Sequence, residues 1–269
     1  MTTPQNAERA KGTVVATGAS SGIGYELSRV FARNGYPLLL VARNGEKLQA
    51  VVQELQTAHD VPVSTCVVDL SVADGPRRVA DAARQLGRRV EILVNNAGFG
   101  VYGPFVEADV DATLQMLQVN IVSLTHLTRL LLPEMVQRNS GRILNVASVA
   151  AFVPGPLMAV YYASKAYVLH FSEALDEELS DTDVRVTALC PGPTATGFES
   201  RAGLGGSKLF SSQKVMDART VAEAGYRGLM RGRRLVVPGW RNKLITESPR
   251  LSPRWLLAKI TRRLQERRS

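Results

Sequence analysis

Short apolar runs alternate with longer amphipathic stretches through most of this chain. The runs carry Val, Ile and Leu at consecutive positions, which is typical of strands that are buried on both faces. They predict strands at residues 13–17, 37–42, 61–68, 91–95, 142–147, 184–190 and 235–237. The stretches between them predict helices at residues 22–34, 44–58, 73–86, 109–138, 161–180 and 219–231.

This strict alternation of strands and helices predicts an α/β fold. Right-handed crossovers would produce a parallel sheet with helices on both faces. Ligands of such sheets bind beyond the carboxyl ends of the strands, where the strand order reverses. We expect a single domain over residues 1–238, followed by a basic helical extension over residues 239–269.

Composition and cysteine content favour a folded protein of a reducing compartment. Of the 269 residues, 45% are hydrophobic, and no apolar stretch reaches the roughly 18 residues of a transmembrane helix. Cys66 and Cys190 lie in apolar runs and are interpreted as small core residues. The first 11 residues are polar, so we expect no signal peptide and a cytoplasmic location.

The positive charge is concentrated in the tail. Residues 231–269 contain twelve Arg or Lys and two acids, a net charge of +10, whereas the whole chain carries +9. Residues 253–268 predict an amphipathic helix. Its apolar stripe comprises Leu256, Leu257, Ile260 and Leu264. Three roles stay open: packing on its own domain or a sister subunit, lying on an anionic membrane with Trp255 at the interface, or docking an acidic carrier protein or coenzyme A phosphates. Nucleic-acid binding is not expected, because the body offers no basic and aromatic platform.

A glycine cluster closes the first predicted strand and opens the first predicted helix. Its sequence is Thr17-Gly18-Ala19-Ser20-Ser21-Gly22-Ile23-Gly24. Glycines at such a place allow a tight turn and the close approach of a pyrophosphate to N–H groups at a helix N-terminus. The cluster predicts dinucleotide binding, and a glycine-rich turn without a ligand is the alternative.

Tyr161 and Lys165 lie one helical turn apart, so the phenol and the ammonium share one face of a predicted helix. A tyrosine is a poor acid or base near neutrality because its ordinary pKa is about 10, and a nearby cation would lower that pKa. With a dinucleotide at the glycine cluster, the pair predicts hydride-transfer chemistry with its own proton donor.

Taken in order, the motifs resemble those of the short-chain dehydrogenase/reductase family over about residues 12–237. They are Thr17-Gly18-x-x-x-Gly22-x-Gly24, Asn95-Asn96-Ala97-Gly98, Asn120, Ser148, the Tyr161/Lys165 pair and Pro191-Gly192. The resemblance implies a Rossmann-like, doubly wound parallel sheet of seven strands in the order 3-2-1-4-5-6-7.

The same resemblance implies catalytic roles for four residues. Tyr161 would protonate the substrate carbonyl oxygen during reduction, or deprotonate an alcohol in the reverse direction, and Ser148 would hydrogen-bond that oxygen. Lys165 would hold the nicotinamide ribose and lower the pKa of Tyr161. Asn120 would position a water that links Lys165 to solvent. Tyr162 has no lysine four residues later and is the weaker candidate for the acid.

The end of the second predicted strand bears on the choice of cofactor. Ala42 and Arg43 stand where a carboxylate would bind the ribose 2′-hydroxyl of NAD(H), and a guanidinium suits a 2′-phosphate. NADP(H) is therefore predicted, with a solvated arginine as the alternative. The resemblance implies a cofactor site of Gly18, Ser20, Ser21, Gly22, Ile23, Gly24, Arg43, Asp69, Leu70, Asn96, Ala97, Gly98, Tyr161, Lys165, Pro191, Gly192, Thr194 and Thr196.

The sequence specifies the substrate less closely than the cofactor. The predicted substrate residues follow the fourth and fifth strands or belong to the catalytic set: Phe99, Ser148, Phe152, Val153, Leu157, Met158 and Tyr161. Residues at about 194–216 resemble the family's mobile lid. We expect an NADP(H)-dependent carbonyl reductase or alcohol dehydrogenase for a hydrophobic ketone or 3-oxoacyl-type substrate, without a metal, as a homodimer or homotetramer. The alternative is a dinucleotide-binding regulatory protein of the same fold without turnover.

Overall fold

The computed structural model describes residues 11–202, 215–250 and 253–266. Within these ranges the main sheet comprises β1 (Thr13–Thr17), β2 (Leu38–Ala42), β3 (Val63–Val67), β4 (Val90–Asn95), β5 (Gly141–Val146), β6 (Val184–Leu189) and β7 (Leu235–Val236). All seven strands are parallel, in the order β3-β2-β1-β4-β5-β6-β7, which confirms the predicted sheet. A short separate ladder pairs Thr194–Ala195 with Met216–Asp217.

The helices of the described residues follow the predicted alternation. They are α1 (Gly22–Arg33), α2 (Gly45–Ala58), α3 (Gly75–Gln85), α4 (Val110–Leu117), α5 (Leu124–Gln137), α6 (Ala159–Glu178), α7 (Phe198–Arg201), α8 (Ala218–Met230), α9 (Trp240–Glu247) and α10 (Arg254–Gln265). None of them combines the length and apolar character needed to cross a bilayer. Most of the predicted lid, residues 203–214, lies outside the described residues.

The prediction of one continuous helix over residues 109–138 is wrong. A π-helical turn, Gln118–Ser123, separates α4 from α5. A π turn adds a residue to one helical turn and leaves the apolar pattern on either side intact, so periodicity does not reveal it. The turn places Asn120 in the interior, with 1% of its surface exposed.

Both faces of the sheet are covered by helices. Val14 and Leu40 belong to an apolar cluster that includes residues of α1, α2 and α8, whereas Val15 and Leu39 belong to a cluster that includes residues of α3 and α5. Neighbouring residues of one strand point to opposite faces, so a strand that is buried on both sides needs an unbroken apolar run. This packing explains the consecutive Val and Leu positions of the sequence.

Candidate active site

The glycine cluster forms the turn between β1 and α1. Gly18 and Gly22 have φ angles of 65° and 59°, a region that glycine adopts without steric cost. Gly24 is buried, and a Cβ at Gly24 would lie 2.3 Å from both the carbonyl oxygen of Gly18 and Nδ2 of Asn96. Gly24 therefore packs helix against strand and does not line the cavity described below, contrary to its predicted contact with the cofactor.

The ends of β1 and β4 are joined by hydrogen bonds beside this turn. The Oγ1 of Thr17 accepts hydrogen bonds from the main-chain N–H groups of Asn96 and Ala97, at 3.0 Å each. The side-chain amide of Asn96 donates to the carbonyl oxygens of Thr17 and Gly18, at 2.9 and 3.2 Å. The two motifs that are separated in sequence thus form one rigid corner at the carboxyl edge of the sheet.

Buried polar side chains connect β4 to β5 and α6 beneath this edge. Asn95 donates to Oδ1 of Asn145 at 2.9 Å and to Oγ1 of Thr128 at 3.0 Å. Asn145 in turn donates to Oγ of Ser172 on α6 at 2.9 Å. Satisfied polar groups in the interior specify one arrangement of the elements that carry them. This chain of bonds sets the position of α6 relative to β5.

Ser148 and Tyr161 meet at the end of β5. Ser148 caps the 3₁₀ turn Val149–Phe152, and its Oγ accepts a hydrogen bond from the N–H of Ala150 at 3.1 Å. The same hydroxyl lies 3.4 Å from the carbonyl oxygen of Pro191 and hydrogen-bonds the side chain of Tyr161. Two hydroxyl groups from separate elements are therefore directed at one point.

Burial sets the protonation state of Tyr161. It raises the pKa of the Tyr161 phenol above its ordinary value, and the hydrogen bond with Ser148 offsets only part of this rise. The predicted lowering of that pKa by Lys165 is not found in this structure: the ammonium lies 5.8 Å from the centroid of the Tyr161 ring and donates a 2.8 Å hydrogen bond to the carbonyl oxygen of Val146. The phenol is accordingly neutral at pH 7, the form that donates a proton.

Lys165 and Asn120 are buried side chains that lie close to Gly98. Burial lowers the pKa of Lys165 to about 8. The amide of Asn120 donates to the carbonyl oxygen of Phe99 at 3.0 Å and to Oγ of Ser164 at 3.1 Å, while its oxygen accepts from the N–H of Phe99 at 3.1 Å. A Cβ at Gly98 would lie 3.0 Å from Oδ1 of Asn120 and 3.5 Å from Nζ of Lys165, so both side chains flank Gly98.

A cavity of about 610 Å³ connects the glycine turn to Tyr161. That volume lies in the range of pockets for small molecules and cofactors. The predicted residues that line it are Gly18, Ser20, Ser21, Gly22, Ile23, Arg43, Asp69, Leu70, Asn96, Ala97, Gly98, Phe99, Ser148, Val153, Met158, Tyr161, Lys165, Pro191, Gly192, Thr194 and Thr196. The structure brings these residues together from six separate sequence segments.

Two predicted substrate residues do not line this cavity. Phe152 packs against a cluster that includes Val168 and Leu169 of α6. Leu157 has a positive φ of 66° and lines a separate small pocket with Val101 and other residues. The 3₁₀ turn and the local backbone direct these two side chains away from the cavity.

The tail supplies a wall that the sequence argument missed. Ile245 of α9 and Leu257, Thr261, Leu264 and Gln265 of α10 line the cavity. Leu257, Thr261 and Gln265 are buried. The extension therefore packs on its own domain, which is one of the three predicted alternatives, but its position over the cavity follows only from the tertiary structure.

The cavity end beside β2 carries two cationic side chains. Arg43 and Lys47 both line it, and Asn44 caps α2 by accepting a 2.7 Å hydrogen bond from the N–H of Lys47. Nη1 of Arg43 lies 3.6 Å from Oδ2 of Asp69, and both side chains are largely exposed. Burial would raise the pKa of Asp69, yet hydrogen bonds from Ser71 and Arg43 lower it below its ordinary value. The side chains of Arg43 and Lys47 and the N-terminus of α2 thus provide groups that can bind an anion.

No group of three or more His, Cys, Asp or Glu side chains in the described part of the chain is placed to hold a metal ion. Beside Tyr161, the groups that could act on a ligand are the hydroxyls of Tyr161 and Ser148 and the ammonium of Lys165. These groups suit proton transfer and the stabilisation of developing charge on an oxygen.

Comparison with known proteins identifies relatives of this arrangement. The very-long-chain 3-oxoacyl-CoA reductase of Rattus norvegicus is 34% identical over 186 residues, which are 68% of this chain and 59% of that protein. A short-chain dehydrogenase from Sphingobium yanoikuyae in complex with NADPH is 32% identical, with a TM-score of 0.80 over 89% of this chain and 94% of that chain. A bulky-bulky ketone specific alcohol dehydrogenase from Comamonas testosteroni is 28% identical, with a TM-score of 0.77 over 90% and 93%.

The family model of short chain dehydrogenases matches residues 12–205. The match includes the glycine turn, the Asn95–Gly98 corner, Ser148, Tyr161 and Lys165. Since it covers more than half of the sequence, this chain belongs to the short-chain dehydrogenases, oxidoreductases that use a nicotinamide dinucleotide.

Proposed function

We propose that this protein is an NADP(H)-dependent oxidoreductase that interconverts a carbonyl group and an alcohol on a hydrophobic substrate. The observation that supports this most directly is the single cavity that contains both the glycine turn and the hydrogen-bonded pair of Ser148 and Tyr161. When bound, the reduced nicotinamide supplies the hydride. The protein then needs to hold the substrate oxygen and give it a proton.

The side chains around Tyr161 are suited to that task. The neutral phenol donates a proton to the oxygen of the substrate, and the hydroxyl of Ser148 donates a hydrogen bond to the same oxygen as negative charge develops on it. Lys165, with a pKa of about 8, is mostly cationic at pH 7, lines the same cavity and is suited to bind the hydroxyl groups of the nicotinamide ribose. The reverse reaction uses the same groups with the proton moving toward Tyr161.

Selection of NADP(H) over NAD(H) is proposed from the β2 edge of the cavity. Arg43 and Lys47 place two cations there. A 2′-phosphate gains charge-assisted hydrogen bonds from such groups, and a ribose hydroxyl gains much less. The NADPH in the Sphingobium yanoikuyae structure is in accord with this choice.

The apolar walls favour a hydrophobic ketone or a 3-oxoacyl-type substrate. Val153, Met158 and Phe198 line the cavity and pack in one cluster with Tyr161, and Phe99 and Leu257 line the cavity as well. The names of the relatives point the same way, since one acts on very-long-chain 3-oxoacyl-CoA and another on bulky ketones. The rival function is a regulatory protein that binds the dinucleotide without turnover.

NADPH oxidation with a panel of hydrophobic ketones and 3-oxoacyl thioesters tests the proposal. The variant Tyr161→Phe is expected to lose about 10²–10⁴-fold in kcat while it still binds NADPH, because only the proton donor is removed. The variant Tyr226→Phe is the matched control, because Tyr226 of α8 packs against the core and does not line the cavity, and it should retain kcat within several fold. Equal rates in wild type and Tyr161→Phe contradict the assigned acid, and NADPH binding without turnover on any substrate favours the regulatory rival.

We propose further that the protein is a homodimer or homotetramer formed through α4 to α6. These elements carry exposed apolar side chains, among them Val110, Leu114, Val122 and Tyr167. A contiguous interface would remove them from water. Light scattering after gel filtration is expected to show a smaller particle for Leu114→Glu and an unchanged one for Val72→Glu, an exposed apolar position outside these helices. A monomeric wild type contradicts the proposal.

For location, we propose a cytoplasmic protein that contacts anionic membranes through α9 and α10. Trp240, Leu244 and Trp255 are 67%, 62% and 63% exposed. Arg241 lies over the ring of Trp240 at 5.3 Å, and Lys259 over the ring of Trp255 at 5.1 Å. Aromatic rings beside cations suit the headgroup region of an anionic bilayer. An acidic carrier protein would use the cations but has no comparable need of exposed tryptophans.

A further inference from the structure

The last helix, α10, forms a roof over the cavity. Its inward residues are Leu257, Thr261, Leu264 and Gln265, which recur at the spacing of one helix face. Leu257 and Leu264 are apolar, as expected where a helix covers a hydrophobic cavity, and Thr261 adds a hydroxyl group. Gln265 is different, because it places a primary amide in the same wall and has no exposed surface.

Gln265 is held from two sides. The phenol of Tyr102 donates a 2.8 Å hydrogen bond to its main-chain carbonyl oxygen. Its side-chain Nε2 donates a 2.6 Å hydrogen bond to Oη of Tyr162, the residue next to Tyr161 on α6. These bonds join the end of α10 to the loop after β4 and to the helix that carries the proton donor.

One polar atom of this amide lacks a hydrogen-bond partner among the described residues. Oε1 of Gln265 is buried and has no hydrogen-bond partner among the described residues. If the oxygen and nitrogen of the amide exchange places, the oxygen bonds Tyr162 and the nitrogen is left over instead. A buried amide atom without a partner costs stability, and an apolar residue at this place would avoid that cost. The amide lines the cavity but has no exposed surface, so a substrate group satisfies the leftover atom only after neighbouring side chains of the wall move apart.

We propose that Gln265 is a substrate-binding residue that hydrogen-bonds a second polar group of the substrate. The inference rests on the proposed function, because it needs a substrate whose carbonyl is held at Tyr161. A hydroxyl group satisfies either orientation of the amide, since it both donates and accepts. The preferred substrate class is therefore a hydrophobic ketone that carries a hydroxyl group in addition to the reacting carbonyl.

The neighbouring tyrosines indicate where this hydroxyl lies on the substrate. The rings of Tyr161 and Tyr162 are 6.1 Å apart between centroids and lie on consecutive residues of α6. The proton donor and the partner of Gln265 thus belong to one short stretch of the cavity wall. The reacting carbonyl and the hydroxyl accordingly belong to one compact part of the substrate, whereas the remaining skeleton meets the apolar wall.

The test compares pairs of hydrophobic ketones of one carbon skeleton, with and without a hydroxyl group, in a panel that varies the hydroxyl position. In wild type, kcat/KM for at least one hydroxyketone is expected to exceed that of its plain partner. Gln265→Leu should lower kcat/KM for that hydroxyketone about 10- to 100-fold and change the plain ketone by less than threefold. Leu256→Met, a change at an exposed position of the same helix, should leave the ratio between the two ketones unchanged.

Binding is measured alongside turnover through the fluorescence of protein-bound NADPH. If wild type turns over neither ketone of any pair, the proposed function fails, and the ratio of the two dissociation constants still decides the role of Gln265. The inference is overturned by a wild type with no preference for any hydroxyketone, or by an equal loss for both ketones in Gln265→Leu. A melting temperature no lower than that of wild type and an unchanged NADPH affinity in Gln265→Leu separate substrate recognition from damage to the roof.

Discussion

The ammonium of Lys165 donates a 2.8 Å hydrogen bond to the main-chain carbonyl oxygen of Val146 at the end of β5. The bond links α6 to the strand that precedes Ser148, so one contact helps to align two predicted catalytic residues. It also places a cation in a buried position. Burial penalises the charged form, and the pKa of Lys165 falls to about 8 from an ordinary value of 10.5.

This lowered pKa predicts a pH dependence of stability. Below about pH 8 the lysine is protonated in both the folded and the unfolded state, and its desolvation cost is fully present. Between pH 8 and 10.5 the unfolded state binds more protons than the folded state, so this group makes the free energy of unfolding rise with pH. Relative to Lys165→Met, wild type should gain on the order of 2 kcal/mol between pH 7 and 10.

Urea unfolding of wild type and Lys165→Met at three pH values measures this gain. Lys243→Met is the control, because Lys243 is exposed, and its difference from wild type should stay flat over the same range. A constant difference for Lys165→Met would show that burial does not disfavour its charge.

Arg43→Leu should shift the choice of cofactor. Removing a guanidinium from the β2 edge is expected to raise the KM for NADPH by about 10- to 100-fold, the range of a charge-assisted hydrogen bond, and to change the KM for NADH little. Steady-state kinetics with both cofactors measures the ratio. Arg84→Leu is the control, since Arg84 pairs with Asp81 and Glu134 away from the cavity. Equal changes for NADPH and NADH would refute the assignment of Arg43.

Gly24→Ala should destabilise the fold. The new methyl group would lie 2.3 Å from the carbonyl oxygen of Gly18 and from Asn96, so α1 has to move away from β1. Overpacking of this kind costs about 1–3 kcal/mol in the free energy of unfolding. Gly45→Ala is the matched control, because its Cβ would lie 3.4 Å from the nearest atom, in Val67. If both variants unfold at the same urea concentration, close packing at Gly24 is not what requires glycine.

Vesicles that contain anionic lipid should bind wild type more tightly at low salt than at high salt. Deletion of the tail would open the cavity as well, so point variants provide the cleaner comparison. Trp240→Ala and Trp255→Ala are expected to weaken sedimentation with vesicles several fold. Val106→Ala, at an exposed position in the loop after β4, should not. Undiminished binding in both tryptophan variants would reject the membrane contact and leave an electrostatic partner such as an acidic carrier.

The sheet was largely predictable because its strands are buried on both faces. A strand such as β1 must be apolar at every position to pack on both sides, and that requirement leaves a continuous run that the sequence displays directly. The edge strand β3 alternates in exposure, and it spans Val63–Val67 within the wider predicted range of 61–68. The order of strands came from resemblance to a family, since local patterns do not encode which strands become neighbours.

The positions of several side chains could not be predicted from the sequence. Periodicity identified Tyr161 and Lys165 as neighbours on a helix, but the protonation states of both depend on burial, which depends on β5 and the loop around Ser148. The π turn at Asn120 also arises from packing and local backbone geometry. The same causes direct the side chains of Phe152 and Leu157 away from the cavity.

By itself, the sequence determined the alternating elements, the glycine turn and the chemical groups available near it, because these depend on short-range periodicity and residue type. Only the tertiary structure decided that α10 packs over the cavity. It also decided that Gln265 hydrogen-bonds Tyr162, which lies 103 residues earlier in the sequence. Such contacts join segments that are distant in sequence, and their geometry is set by the packing of the whole domain.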